Sequence, residues 1–257
     1  MSLSKSKILF INSLKQKKCR DESRSFLAEG NKIVLELLSS DYSVNQIFAP
    51  ADWLTKNEKK LKKVSEVFEC SGSDLERISL QKTPDGVLAI ASQKKNNIVK
   101  EQYINDLSLV LDTIQDPGNL GTIVRAADWF GIKHIFCSTD TVDIYNPKVI
   151  QSTMGSFLRC VVEYVELPLF LSKHKQIEGF DVYGAFLNGK NIYSEELSPK
   201  GFLVMGNEGN GISPKIEKYI SQRISIPSFA SGNGGSESLN VAIATAVICS
   251  EFRRRTI

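Results

Sequence analysis

The 257-residue sequence predicts an α/β protein built around a parallel β-sheet. In the second part of the chain, short apolar runs alternate with segments of helical spacing, which is the pattern of consecutive strand–helix units. Three of these predicted strands are followed by loops rich in glycine, amide and carboxylate residues. Because such sheets bind ligands at the carboxyl ends of their strands, the pattern also predicts one shared binding site.

The first 95 residues predict a smaller α/β domain that precedes this sheet. Helical spacing, cap residues and apolar runs predict, in chain order, helix 29–38, strand 44–48, helix 58–66, a helix capped at Ser73-Asp74, a turn at 83–86 and strand 87–91. Residues 92–105 are polar and lack clear periodicity. The predicted organisation is therefore a domain at 1–95, a linker at 96–105 and a second domain at 106–257.

The second domain is predicted to contain six strands and four helices. The strands are expected at 107–114, 135–137, 160–165, 181–186, 202–205 and 224–226, and the helices at 120–130, 147–155, 216–221 and 238–254. Every one of the three loops singled out above leaves the end of one of these strands.

Charge is distributed unevenly along the chain, although the net charge is only +3. Residues 1–95 contain 17 lysines and arginines against 12 acidic residues, and the excess lies in two runs, Lys15–Arg20 and Lys56–Lys63. Such runs can bind phosphate backbones, but a solvated helix face gives the same pattern. Composition alone leaves both interpretations open.

The cysteines and the apolar runs indicate the class of compartment. Five scattered cysteines without a C-x-x-C pair argue against a disulfide framework and against a zinc site, so no metal is expected. The N-terminus lacks the apolar region of a secretion signal. The longest apolar run, 241–249, is far shorter than the roughly 20 residues of a membrane span. We expect a cytoplasmic protein.

The first motif follows the predicted strand 107–114. Asp116-Pro117-Gly118-Asn119 predicts a turn, with Asn119 as the cap of the next helix and Arg125 in its second turn. An ordinary cap and a surface arginine would give the same residues, so neither residue is informative by itself.

The second motif, Gly206-Asn-Glu-Gly-Asn-Gly211, has three glycines in six residues, which lets the backbone approach a ligand or adopt positive φ. It is neither the G-x-G-x-x-G dinucleotide fingerprint nor a phosphate-binding P-loop. Glu208 could accept hydrogen bonds from a ligand or from backbone amides, or be an ordinary turn residue.

The third motif consists of Ile226-Pro227 at a strand end, a polar loop at 228–237, and Ser238-Leu239-Asn240 at the start of the last helix. That helix carries several alanines, which permit close packing against the sheet or a partner subunit. A serine-capped terminal helix is the simpler alternative.

Taken together, the patterns Asp116-x-x-Asn119-x-Gly121-x-x-x-Arg125, Gly206-x-Glu208-Gly209-x-Gly211 and Ile226-Pro227…Ser238-Leu239-Asn240-Val241 resemble the three motifs of the SpoU (TrmH) family of RNA 2′-O-ribose methyltransferases, within the SPOUT superfamily. The N-terminal part resembles that family's substrate-binding domain, a ribosomal-protein-like α/β module. The matching residues there are Arg20, Phe26-x-x-Glu29-Gly30 and Thr83-Pro-Asp-Gly-Val87.

The resemblance implies a parallel sheet with a C-terminal trefoil knot, S-adenosyl-L-methionine as cofactor, RNA as substrate and a homodimer that packs through the knot helices. It implies catalytic roles for Arg125, Asn119, Glu208, Ser238 and Asn240. The implied cofactor-binding residues are Met205, Gly206, Asn207, Gly211, Ile226, Pro227, Ser238 and Leu239. The expected RNA-binding residues are Lys17, Lys18, Arg20 and Arg125.

Arg125 matches the catalytic arginine of that family. Because a guanidinium stays protonated in proteins, we expect it to stabilise a developing alkoxide and to anchor a phosphate rather than to act as the base. Two positions depart from the family pattern: the loop after Ile226 is several residues longer than usual, and Ala242 stands where serine is common.

Ribosomal RNA, most specifically 23S rRNA, is the expected substrate, and transfer RNA is the alternative. A catalytically inactive RNA-binding member of the same fold is a second alternative. A nucleotide-binding oxidoreductase is the third, and the missing dinucleotide fingerprint argues against it.

Overall fold

The computed structural model describes residues 3–81, 84, 86–96, 98–175, 177–230 and 237–256. It divides into two compact units: unit 1 contains residues 1–95 and 143–158, and unit 2 contains residues 96–142 and 159–257. The predicted first domain, residues 1–95, therefore lacks residues 143–158, which pack with the N-terminal unit. Thr83 and Asp85 of the predicted turn lie outside the described residues.

Unit 1 contains a sheet whose strand order, among the described residues, is β1-β4-β2-β3. Strand β4 is antiparallel to both of its neighbours, whereas β2 and β3 are parallel. The elements of the unit are α1 (Lys5–Ser13), α2 (Lys17–Ser23), β1 (Ser25–Glu29), α3 (Asn31–Leu38), β2 (Val44–Ala49), α4 (Ala51–Leu61), β3 (Glu66–Glu69), α5 (Gly72–Ile78), β4 (Leu88–Ser92) and, from the distant segment, α7 (Pro147–Thr153).

Two of the predicted N-terminal elements are shifted. The charged helix expected at 58–66 is α4, which begins at Ala51 directly after Pro50 and has ended before Glu66, where a strand begins. Helix α5 is capped by Ser71 rather than by Ser73-Asp74, and Asp74 completes a capping box with Ser71. The helix expected at 29–38 and the strands expected at 44–48 and 87–91 are confirmed within one or two residues.

Residues 143–158 are held in unit 1 by a buried ion pair and by aromatic packing. Arg20 donates to Asp143 Oδ2 at 2.6 and 2.9 Å and also to the carbonyl oxygens of Leu14 and Lys15. The rings of Tyr145 and Phe157 pack on Phe26, with centroids 4.8 and 5.9 Å away.

The burial of Arg20 argues against its predicted RNA-binding role, which stays a prediction. Its side chain is only 2% exposed, and its charge is compensated by Asp143. The guanidinium donates four hydrogen bonds to oxygen atoms of unit 1, so in this structure Arg20 holds residues 143–158 in place.

Unit 2 contains a parallel sheet with the strand order β10-β8-β9-β5-β6-β7 among the described residues. The predicted α/β class with a parallel sheet is confirmed, and the trefoil knot stays a prediction. The elements are β5 (Leu107–Leu111), α6 (Pro117–Trp129), β6 (His134–Ser138), β7 (Val161–Val165), α8 (Leu167–His174), β8 (Val182–Asn191), β9 (Gly201–Met205), α9 (Pro214–Glu217), β10 (Gln222–Ser225) and α10 (Val241–Arg254).

An aromatic core on the sheet explains two further departures from the predictions. Phe136 and Phe202 from the strands contact Phe170 of α8, a helix that was not predicted. The predicted linker belongs to the same core. Tyr103 is buried there and hydrogen-bonds His174 Nε2 at 2.9 Å.

Helix α10 packs along α6 in unit 2. Arg253 from α10 donates to the carbonyl oxygens of Phe130 and Gly131 at the end of α6, at 2.7 and 3.2 Å. A search of the described residues finds no helix that is both long and apolar enough to span a membrane.

Candidate active site

The three motif loops leave strands β5, β9 and β10 at their carboxyl ends, after Leu111, Met205 and Ser225. Because these strands are parallel members of one sheet, the loops emerge at the same edge. The structure therefore brings the sequence motifs to one side of unit 2, as the sequence predicts.

The loop after β9 is closed by its own residues. Asn207 and Gly211 exchange backbone hydrogen bonds, both 2.9 Å long, and the Asn207 Oδ1 accepts from the amides of Gly209 and Asn210. A Cβ on Gly206 would lie 2.1 Å from the carbonyl carbon of Gly211, so only glycine fits there. Gly211 itself has a φ of +68°, the left-handed conformation that glycine adopts without strain.

The end of β5 holds this loop in place through Asp112 and Thr113. The buried Asp112 carboxylate accepts from the Ser213 amide at 2.8 Å and from the Thr113 hydroxyl at 3.2 Å. Thr113, with a φ of +64°, presents its carbonyl oxygen to Asn207 Nδ2 at 2.8 Å. A non-glycine residue at this φ is strained, and such strain concentrates at functional sites.

Neither Asp112 nor Thr113 was among the sequence candidates. The available signal was an acidic residue directly after a buried apolar strand, in Leu111-Asp112, where an unpaired carboxylate would be costly.

Asp116, not Asn119, is the cap of helix α6. Its Oδ1 accepts from the Asn119 amide at 2.8 Å, and the helix starts at Pro117. Asn119 is thus a first-turn residue whose side chain is available for contacts outside its own helix. The prediction that Asn119 caps the helix is wrong, although its position at the site is as expected.

A hydrogen-bonded chain links one side chain from each motif. Asn119 Nδ2 donates to Glu208 Oε1 at 2.9 Å, and Asn119 Oδ1 accepts from Asn240 Nδ2 at the same distance. These contacts span 89 and 121 residues of sequence. They fix the relative positions of the first, second and third motifs.

Asn240 also caps α10, so both of its side-chain groups are used. Its Oδ1 accepts from the amides of Ala242 and Ile243 at 2.9 and 3.3 Å. The alternative of a serine cap at Ser238 is therefore wrong, and Ser238 lies in the exposed segment before the helix.

Arg125 is exposed on α6, on the same face as Thr122 and Trp129. The hydrogen-bonded chain does not include it, and it has no hydrogen bond or ion pair with any residue the structure describes. Its guanidinium is thus available to an anionic ligand.

The residues expected to bind the cofactor lie at the same edge of the sheet. Met205 is buried beneath the Gly206 loop, Ile226 and Pro227 are half-buried after β10, and Leu239 is 49% exposed. S-adenosyl-L-methionine needs apolar contacts for its purine ring and backbone groups or carboxylates for its polar and cationic parts. Accessible apolar side chains beside a glycine loop with a carboxylate fit these needs.

Other chemistries find little support at this edge. Among the described residues, no group of three or more histidine, cysteine or acidic side chains could hold a metal ion. Cys160 and Cys249 lie elsewhere in unit 2, and burial raises the pKa of both thiols to about 12, so they are protonated near neutral pH.

Comparisons with known proteins agree with this geometry. Residues 106–250 match the model of the SpoU rRNA Methylase family, and residues 5–89 match that of an MRM3-like substrate binding domain. The chain is 30% identical to the 23S rRNA (guanosine(2553)-2′-O)-methyltransferase RlmP of Bacillus subtilis, over 93% of each protein.

Solved structures give the same result. An AdoMet-bound rRNA methyltransferase from Sinorhizobium meliloti superimposes with a TM-score of 0.86 at 28% identity, covering 100% of this chain and 97% of that one. A Porphyromonas gingivalis protein assigned to the TrmH family of RNA methyltransferases gives a TM-score of 0.85 at 39% identity, covering 99% and 100%.

Proposed function

Because the chain belongs to the SpoU rRNA methylase family, we propose that it methylates one ribose 2′-hydroxyl of large-subunit, 23S ribosomal RNA. It is an RNA methyltransferase that uses S-adenosyl-L-methionine. The choice of 23S rRNA is supported by the relative from Bacillus subtilis, whose name states that substrate and which aligns with nearly the whole chain.

The observation that carries the proposal is the hydrogen-bonded chain through Asn119, Glu208 and Asn240. It links the three loops to one another at the carboxyl edge of the sheet. Methyl transfer requires the donor, the acceptor oxygen and the stabilising groups to be aligned, and alignment of this kind accounts for several kcal/mol of barrier reduction.

We assign the following roles to this chain's own residues. When bound, S-adenosyl-L-methionine supplies an electrophilic methyl group. Arg125, exposed and without a partner among the described residues, stabilises negative charge that develops on the 2′-oxygen and holds an adjacent phosphate. Asn119 and Asn240 orient Glu208 and the loop that carries it. Ser238 is exposed beside Asn240, where it can contact the ribose.

We also propose a homodimer that packs through α6 and α10. The support is apolar surface on these adjoining helices: Trp129 is 85% exposed and Ile243 is 54% exposed. Large apolar side chains that stay exposed on packed helices are candidates for a subunit interface. Analytical ultracentrifugation of the intact chain, which should give twice the monomer mass, checks the proposed assembly.

A ribosomal RNA substrate implies the cytoplasm as the location. The five free thiols are compatible with a reducing compartment.

Labelled S-adenosyl-L-methionine, added to ribosomal RNA from a strain that lacks this gene, tests the function. We expect label at a single ribose 2′-oxygen. Arg125→Ala should lower kcat by roughly 100-fold or more, as for loss of a charged transition-state contact, while cofactor affinity stays unchanged.

Lys133→Ala is the matched control, since Lys133 is an exposed cation directly before β6, at the opposite end of the sheet from the motif loops. It should leave kcat within about twofold of wild type. Full activity of Arg125→Ala would contradict the assigned role, and label on a base or only on transfer RNA would contradict the proposed reaction or substrate.

A further inference from the structure

The sequence contains two basic runs in its first 95 residues, and the structure gives them different environments. In the first run, Arg20 is buried, Lys17 pairs with Asp21 at 2.6 Å, and Lys18 pairs with Glu22 at 3.9 Å. Each of these three cations therefore has an acidic partner within unit 1, whereas Lys15, at the start of the run, is exposed and forms no ion pair with the described residues. The net charge that helix α2 offers to a polyanion is small.

The second run has no such compensation. Helix α4 and the two residues after it carry five exposed lysines that form no ion pair with any residue in the described part of the chain: Lys56, Lys59, Lys60, Lys62 and Lys63. Asp52 and Glu58 are the acidic residues of the same segment, which leaves a net charge of +3 there.

The helix geometry concentrates this charge. Lys56, Lys59 and Lys60 are separated by three and four positions, so they lie on one face. Lys62 and Lys63 follow at the carboxyl end, where the helix dipole favours cations.

Helix α4 is attached to unit 1 without using these lysines. Trp53 Nε1 donates to Asn31 Oδ1 at 2.8 Å, and none of the helix residues is fully buried. The lysine face is therefore not needed for the core. Five unpaired cations on helix α4 and the two residues after it repel one another, and an anionic partner would relieve this repulsion.

We propose that helix α4 with Lys62 and Lys63 is the surface through which unit 1 binds the phosphate backbone of the RNA substrate. This rests on the proposed function, which supplies the polyanion. Lysines act as point charges without a planar donor pattern, so the surface binds RNA without reading its sequence. The choice of nucleotide is left to the active site.

The test compares two double variants with equal loss of charge: Lys59→Gln/Lys60→Gln in α4 and Lys17→Gln/Lys18→Gln in α2. Glutamine has nearly the same helix propensity as lysine, so both variants should fold. Affinity for a 23S ribosomal RNA transcript is measured by filter binding at 50 and 200 mM salt. Cofactor affinity and methyl transfer at saturating RNA are measured on the same preparations.

For the α4 variant we expect the RNA Kd to rise roughly tenfold or more, and the slope of log K against log salt to shrink by about 1 for each lysine removed. The α2 variant should change the RNA Kd by less than about threefold. Cofactor affinity and kcat at saturating RNA should stay unchanged in both.

An unchanged Kd and salt slope in the α4 variant, or an equal loss in the α2 variant, overturns the proposed surface while wild-type methyl transfer still supports the proposed function. If wild type binds RNA but transfers no methyl group, the function fails and the surface is still tested by the two variants. Binding of wild type to anionic vesicles in place of RNA overturns both.

Discussion

Asn119 is the residue on which the arrangement of the site depends. Its amide has a donor and an acceptor, and the structure uses the donor for Glu208 and the acceptor for Asn240. No other uncharged side chain of this length can satisfy a carboxylate and an amide at once. An isosteric change that replaces the donor with a second acceptor is therefore the sharpest test of the hydrogen-bonded chain.

We expect Asn119→Asp to lower kcat/KM by about 10- to 100-fold near pH 7. The substitution keeps the acceptor for Asn240 but places a second carboxylate beside Glu208, and a hydrogen bond to a charged group contributes about 1.5–3 kcal/mol. Protonation of the introduced carboxyl restores a donor, so the defect should shrink as the pH is lowered toward 5.

Asn119→Ala provides the comparison, because it removes both contacts without adding charge and its defect should be independent of pH. Steady-state kinetics from pH 5 to 8 measure the difference. Parallel pH profiles for the two variants would show that the contact with Glu208 is unimportant.

At the scale of single residues, sequence patterns identify which side chains belong to the site better than they identify what each one does. Asp116 and Asn119 are both good helix-capping types three positions apart, and only the backbone conformation decides that Asp116 is the cap. Asp112 was missed because its partner, the Ser213 amide, is 101 residues away and is visible only in the fold.

At the scale of the element, the end of helix α10 depends on Glu251. This buried carboxylate accepts from Arg254 at 2.8 Å and from Arg255, also at 2.8 Å. Arg255 then donates to the carbonyl oxygens of Glu195 and Ile192. Glu251 thereby connects the last helix to the segment after β8.

The hydrogen bond from Arg254, with further contacts from Arg255, lowers the pKa of Glu251 to about 2 from its usual 4.5. Since the folded state favours the carboxylate, its stabilisation is complete above pH 4.5 and is lost as the pH falls through 2. Glu251→Gln should therefore lower the free energy of unfolding by about 1–2 kcal/mol at pH 6, a value reduced because Arg254 is largely exposed.

The difference in free energy of unfolding between Glu251→Gln and wild type, measured by urea unfolding, should become smaller as the pH is lowered from 4.5 to 2. Asp21→Asn, which removes an exposed pair with Lys17, is the control and should cost under about 1 kcal/mol. A Glu251→Gln effect that is constant over this pH range would contradict the account.

Elements were predictable where their signals were local. The strands before the three motifs were located to within a few residues because each is a short apolar run that ends in a polar loop. Helix α8 was missed because Leu-Pro-Leu-Phe-Leu is apolar on all sides and lacks amphipathic spacing. The start of helix α4 was predicted at residue 58 instead of residue 51 because its first residues carry little charge and lack the lysines that mark the rest of the helix.

At the scale of the whole molecule, unit 1 is completed by chain from the middle of the sequence. The ion pair between Arg20 and Asp143 joins residues 123 positions apart. No periodicity or composition signal indicates such a contact, so both the assignment of 143–158 and the role of Arg20 required the three-dimensional structure.

Arg20→Ala should lower the free energy of unfolding by about 3–5 kcal/mol, because it leaves the Asp143 carboxylate without its cation in a largely buried site. Lys17→Ala, at an exposed pair, should cost no more than about 1 kcal/mol. Urea denaturation of the full chain measures both. A stable Arg20→Ala variant with weakened RNA binding would instead support the prediction from the sequence that Arg20 binds RNA.

The same long-range contact constrains synthesis of the chain on the ribosome. Val149, Ile150 and Phe157 are almost fully buried in unit 1, yet they are translated after strands β5 and β6 of unit 2. Folding of unit 1 therefore stays incomplete, with part of its apolar surface uncovered, until residue 158 has emerged from the ribosome. In vivo, its folding should be late and should overlap with that of unit 2, so early exposure of this surface is the step at which chaperones would act.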